Sequence, residues 1–146
     1  MTTARNLVLD TNTVMALWHF RDPALKALAE AIATGSFTLY SRDDALEEFR
    51  RVLAYTQFGI SPGDQGHLFD TYRARVKPAP EPAKDAPLLP ACRDRDDQKF
   101  LEIARDAGVD HLLTRDKLLL KLARHRALRD CFVIQTPERF IADGLC

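Results

Sequence analysis

The chain of 146 residues has no excess of either charge, since 21 Lys and Arg balance 21 Asp and Glu. No overall field marks it for a polyanion or an anionic membrane, so any such affinity must come from local clusters. Cysteine is scarce: Cys92, Cys131 and Cys146 stand far apart, with no CxxC pair. That excludes a zinc ribbon and a disulfide framework, and leaves small buried hydrophobes or a frayed C-terminus in a reducing cytosol. The six glycines form neither a GxGxxG nor a Walker loop, so no backbone cradle for a nucleotide is encoded. Three serines, none in GxSxG, and no Cys–His pair in a recognisable context remove the usual covalent nucleophiles. No apolar run approaches the ~20 residues that span a bilayer. Met-Thr-Thr-Ala-Arg leads into an apolar run too brief for a signal peptide. The expectation is a soluble, cytoplasmic protein with no membrane partner.

What is present is an ordinary globular balance, 46% apolar and 29% charged. The length fits one domain over residues 1–146, and folding at this size buries roughly 70% of the surface of the unfolded chain. Asn6-Leu7-Val8-Leu9, Phe37-Thr38-Leu39-Tyr40, Val109 to Thr114 and Cys131 to Ile134 read as buried strands. Between them the spacing predicts helices over Thr13–Phe20, from Pro23 to Gly35, and from a Ser41/Asp44 capping box to about Tyr55. Further helices are predicted within 58–76, over Asp94–Ala107 with Gly108 as stop, over Asp116–Arg124, and after Thr136-Pro137. Five prolines between Pro78 and Pro90 make an extended surface loop. Alternating strands and helices predict an α/β sandwich on a mainly parallel sheet, with ligands at the carboxyl ends of the strands.

Acids follow those ends. Asp10 closes the first strand, where a carboxylate near a core calls for a neutralising partner such as a metal ion, or serves as a helix N-cap. Glu48 borders the apolar stripe of its helix, whereas Glu47 lies on the opposite pole, four residues before Arg51, as in a solvated ion pair. Asp94, Asp96 and Asp97 open a helix, and its dipole accounts for one or two of them. The wheel leaves Asp96 and Asp97 unseparated. Asp116 follows the strand that ends Leu112-Leu113-Thr114. Four carboxylates meeting in one crevice repel unless cations bind, and an all-oxygen set suits Mg²⁺ or Mn²⁺ better than zinc.

These residues carry a resemblance. Leu9-Asp10-Thr11-Asn12, Glu48 ahead of Val52-Leu53, Cys92-Arg93-Asp94 with Asp97-x-x-Phe100-Leu101-x-x-Ala104, and Thr114-Arg115-Asp116 resemble, in that order, the PIN-domain family. The branch most alike is the one described as toxin components of toxin–antitoxin pairs. Each motif is weak alone; the likeness lies in the four together, and runs from Asn6 to about Ile141. It implies a three-layer α/β/α fold and Mg²⁺- or Mn²⁺-dependent cleavage of RNA. By position it implies Asp10, Glu48, Asp97 and Asp116 as the catalytic acids, with Asp10, Asp97 and Asp116 on the metal, and so selects Asp97 over Asp96. Asn12 and Thr114 match polar positions that support the acids. A cognate antitoxin protein and a homodimer are the further partners implied. Gln98 departs from the Asn common in that branch, which affects a fine contact and none of the acids.

An RNA substrate needs positive charge beside such a site. Arg115, Lys117, Lys121 and Arg124 supply it, continued by Arg126 and Arg129 and extended by Arg50-Arg51; the plainer reading is a solvated helix face. His19, His67 and His111 have no ligand spacing, and Trp18 and Phe20 read as core or dimer contacts before base platforms. Asp10-Thr11-Asn12-Thr13 also resembles the DxDxT motif of haloacid-dehalogenase-like phosphatases, but Asn12 stands where the general acid belongs and Glu48 is unexplained. A non-catalytic PIN-like binding module is the third reading, and the presence of all four acids gives it no support.

Overall fold

The structure, a computed structural model, describes residues 5–144. Cys146 and the expectation of a frayed C-terminus lie outside the described residues. In chain order the elements are β1 (Arg5–Leu9), α1 (Thr11–Trp18), α2 (Lys26–Ala33), β2 (Phe37–Ser41), α3 (Asp43–Leu53) and α4 (Pro62–Arg75). Then come β3 (Val76–Pro78), α5 (Gln98–Ala107), β4 (His111–Leu113), α6 (Lys117–Leu120), β5 (Val133–Gln135) and α7 (Pro137–Ala142). The five strands form one sheet in the order β3-β2-β1-β4-β5, and every pairing is parallel. Leu7 of β1 sits opposite Leu39 on one side and His111 on the other.

The alternation of β1 divides the core in two. Leu7 and Leu9 join Leu39 and Leu113 on one face, under Val14, Leu28, Phe49, Tyr72 and Phe140 from α1, α2, α3, α4 and α7. Val8 joins Leu112 and Ile134 on the other, under Phe100, Leu101 and Ile103 of α5 and Leu119 of α6. Both faces are therefore covered, which is why the strands read as unbroken apolar runs. The result is the expected three-layer α/β/α sandwich.

Helix boundaries follow capping chemistry. Asp22 accepts from the Ala24 N–H at 2.9 Å and opens a 3₁₀ turn at Pro23 that leads into α2. Ser61 and Thr136 cap α4 and α7, each with proline in the first turn. Gly108, at φ +62°, ends α5 in the left-handed region that glycine tolerates.

Five sequence expectations change. Ser41 forms no capping box, because it is the last residue of β2; Arg42 takes the N-cap position of α3 without a side-chain bond, and Asp44 instead receives the Arg42 guanidinium at 2.7 Å. Helix α1 starts at Thr11, two residues earlier than expected, because Asp10 caps it. The helix expected from Asp94 begins as a 3₁₀ turn, Arg95–Asp97. The helix expected over Asp116–Arg124 stops after four residues, since 117–129 contains no acid to pair with its cations along a helix face. His125 then accepts from Ala127 N–H through Nδ1 at 3.1 Å and caps a separate 3₁₀ turn. Finally, Val76-Lys77-Pro78 is a fifth strand. A proline is accommodated there because β3 is an edge strand.

Candidate functional site

From β1 the chain steps outward to β2 and β3 and then crosses to β4 and β5, so the strand order reverses between β1 and β4. That switch point, at the carboxyl ends, is where a doubly wound sheet leaves a crevice. Asp10 leaves β1 there, and Asp116 follows β4.

Asp10 is 3% exposed and uses both oxygens. Oδ1 accepts from the Thr13 N–H at 2.9 Å, and Oδ2 accepts from the Thr114 hydroxyl at 2.5 Å. Asp10 is thus the N-cap of α1, one of its two expected roles, and it also lines the crevice. Thr114, fully buried, also accepts from the Asp116 N–H at 2.9 Å, so one hydroxyl ties the two acids together. Asp116 repeats the Asp10 pattern, Oδ1 accepting from Leu118 N–H at 2.8 Å and Leu119 N–H at 3.2 Å at the head of α6.

The other acids come from the two cover layers. Asp97 closes the 3₁₀ turn before α5, and its Oδ2 is buried with no hydrogen-bond partner. Glu48 reaches in from α3: Oε2 accepts from the Thr11 hydroxyl and Oε1 from Lys99 Nζ at 2.9 Å. These four acids line one open crevice of about 300 Å³, together with Asn12, Asp94 and Asp96. Tyr55 and Phe58 line it as well. Asp94 is the acid that helical-wheel reasoning passed over; its Oδ1 accepts from Asp96 N–H at 3.0 Å and shapes the turn that presents Asp97. Lys99 was missed too, since a lysine in a first helical turn gives no signal of facing inward.

The electrostatics follow from this crowding. Burial pushes the Asp97 carboxyl up to about 7, helped by the negative charges of Asp116, Asp94, Asp10 and Glu48. Burial also raises Asp10 above the ordinary carboxylate range, against the hydrogen bonds of Thr114 and Thr13. Glu47, by contrast, faces solvent and pairs with Arg50 rather than Arg51, Arg50 Nε donating at 2.9 Å.

The basic residues divide. Arg115 bridges Asp22 at 2.7 Å and Glu138 at 2.9 Å, so its guanidinium fastens the loop after β4 to the start of the 3₁₀ turn before α2 and to α7. Lys117, Lys121 and Arg124 are exposed and make no ion pair among the described residues. None of the four lines the crevice. Trp18 packs edge-on against Tyr72 at 4.9 Å, as a core contact should. Phe20 is 55% exposed and Tyr55 50%; Phe58 lies between them, at 5.7 Å from Phe20 and stacked on Tyr55 at 6.2 Å. His111 packs against Phe140, His19 against Phe20, and His67 is exposed. Gln98 holds the proline loop, accepting from Cys92 N–H at 2.6 Å and donating to the Pro90 carbonyl at 3.2 Å.

A larger and mostly apolar cleft of about 460 Å³ opens among α1, α2 and α4, but no carboxylate lines it. The convergent carboxylates line the smaller crevice. A doubly wound parallel sheet with acids converging at its switch point defines an α/β domain of the three-layer class. The family model described as PIN domain matches residues 6–118, and the chain belongs to that family. PIN domains are generally nucleases, hydrolases of phosphodiester bonds, and typically use divalent metal ions. No curated protein and no solved structure matches the chain.

The residues fit a hard divalent cation in two respects. The donors are all oxygen, and the buried Asp97 Oδ2 has nothing else to bind. Among the described residues, no three His, Cys, Asp or Glu side chains are already grouped as a metal cage.

Proposed function

We propose that the chain is an Mg²⁺- or Mn²⁺-dependent endoribonuclease that cuts single-stranded RNA in the cytoplasm, as the toxin of a toxin–antitoxin pair. The nuclease class comes with the family. The observation that carries the metal dependence is the crevice itself: carboxylates from four elements turned toward one space, with a buried Asp97 oxygen lacking any partner. The toxin role, its antitoxin and a homodimer rest on the likeness of the sequence motifs.

In this reading Asp10, Asp97 and Asp116 hold the ion. Thr114 keeps Asp10 and Asp116 in register through its single hydroxyl. Glu48 positions the attacking water, and Asn12, exposed at the crevice, orients what enters it. The ion, when bound, reverses the local sign, makes a water more acidic and stabilises charge on the phosphoryl group.

A single-stranded substrate suits the surroundings. Tyr55 and Phe20, both exposed, offer faces to unpaired bases with Phe58 packed between them, and each such stack is worth ~1–3 kcal/mol. Lys117, Lys121 and Arg124 attract the phosphates beyond the crevice, with Arg115 committed elsewhere. Nothing in the site favours a dehalogenase-like phosphatase, since Asn12 stands where that motif has its general acid and the reading gives Glu48 no role.

The test is a labelled single-stranded RNA incubated with the full chain and Mn²⁺. Internal cuts that stop with EDTA and return with Mn²⁺ or Mg²⁺ are expected, while p-nitrophenyl phosphate, too small to use the cations beyond the crevice, is turned over poorly. RNA left intact, or cutting undiminished in EDTA, contradicts the proposal.

A further inference from the structure

Glu48 differs from the other acids of the crevice in having a cation of its own. Lys99 Nζ lies 2.9 Å from Glu48 Oε1, and the two side chains are only 14% and 21% exposed. The same ammonium donates to the Asp96 carbonyl and lies 5.2 Å from the Phe100 ring centroid, so it is held on three sides. The Thr11 hydroxyl takes the second Glu48 oxygen. Both oxygens of Glu48 are therefore engaged, whereas Asp97 keeps a buried oxygen with no partner. An ion pair this sheltered is screened by water far less than one on the surface, and a divalent cation would have to displace it before using Glu48.

We propose that Lys99 is a built-in counter-cation: it occupies the Glu48 side of the crevice, confines divalent metal to the Asp10–Asp97–Asp116 side, and limits the crevice to one ion. The inference rests on the metal-dependent reading above and deepens it. Lys99 is a positioning residue, holding Glu48 as an oriented carboxylate beside the ion rather than on it. Its fixed positive charge supplies, without exchange with solvent, part of the compensation a second ion would otherwise provide.

The experiment is calorimetric titration of the full chain with Mn²⁺ in the absence of RNA, with unfolding curves taken on every variant. Wild type is expected to bind one Mn²⁺. Glu48→Gln should leave its affinity within about threefold, whereas Asp97→Asn should weaken it by about tenfold or more. Lys99→Met removes the ammonium at similar length and frees Glu48, so a second Mn²⁺ should bind; adding Glu48→Gln to it should return the count to one. Lys99→Arg should keep the wild-type count. The proposal is overturned by two ions in the wild type, by a Glu48→Gln loss equal to that of Asp97→Asn, or by a folded Lys99→Met that still takes one ion. If Lys99→Met does not fold, the ratio of the Glu48→Gln and Asp97→Asn losses decides alone. A wild type that binds no Mn²⁺ overturns the metal reading itself, an outcome distinct from those three.

Discussion

Glu48 and Asp97 face the same crevice from opposite cover layers, and their surroundings differ in every respect that matters to a carboxylate. Glu48 has an ammonium at 2.9 Å and a hydroxyl on its other oxygen. Asp97 has a buried oxygen with no donor, and its burial, together with three neighbouring aspartates and Glu48, holds its carboxyl at about 7. One side of the site is neutralised by the fold. The other is left in electrostatic debt that folding alone does not settle. Counting acids therefore misstates the demand for metal: what matters is how many of them the protein has already paired.

That contrast can be broken by mutation, and the largest effect should come from the unpaired side. Asp10→Asn should reduce RNA cleavage at least ~100-fold, because it removes a charge from the ion's cradle and disturbs the Thr114 link to Asp116. Glu47→Gln, on the solvated face of the same helix as Glu48, should cut at the wild-type rate in the same assay. Next, reversing Lys121 and Arg124 to Glu should weaken binding of single-stranded RNA by about tenfold or more and flatten its salt dependence, with Mn²⁺ binding unchanged. Filter binding at several salt concentrations reads both effects. Tyr55→Ala should weaken RNA binding by about tenfold, and Tyr55→Phe should restore most of it, since the ring and not the hydroxyl provides the stacking face.

The smallest effect is on stability, and its sign is informative. The Asp97 carboxyl ionises at about 7 in the folded chain against an ordinary value of 3.8. Between those values the folded state holds a proton that the unfolded state has released, so stability falls as pH rises from about 4 to about 7. Without metal, Asp97→Asn should flatten that fall and raise the melting temperature at pH 8 by a few degrees, at ~2–4 °C per kcal/mol for a chain of this size. Mn²⁺ should stabilise the wild type more at pH 8 than at pH 5.5. Thermal unfolding at the two pH values, with Mn²⁺ and with EDTA, measures all of this. A metal-free wild type whose stability varies with pH across this range just as that of Asp97→Asn does contradicts the burial and crowding described for Asp97.

Much of this was legible in the sequence because the relevant signals are local. A buried parallel strand is a short apolar run, and Asp10 and Asp116 show themselves by ending such runs. The order of elements, and the carboxyl ends of the strands as the place for a ligand, followed from strands alternating with helices. What stayed hidden depends on partners distant in sequence. Val76-Lys77-Pro78 is too short and proline-bound to announce a strand, and pairs only because β2 presents an edge. Lys99 turns inward because Glu48, 51 residues away, waits for it. Arg115 belongs to a basic stripe in sequence, yet Asp22, 93 residues distant, takes it out of that stripe in space. Asp96 and Asp97 could not be told apart on a wheel because they enter through a 3₁₀ turn, whose three-residue period rotates side chains differently.

Crystals of the full chain grown with Mn²⁺ and measured near the manganese absorption edge would test the contrast between the two sides most directly. One anomalous peak is expected, within bonding distance of Asp10, Asp97 and Asp116 oxygens, with Lys99 still on Glu48. No peak in the crevice, or a peak on Glu48 with the Lys99 ammonium displaced, would contradict the account.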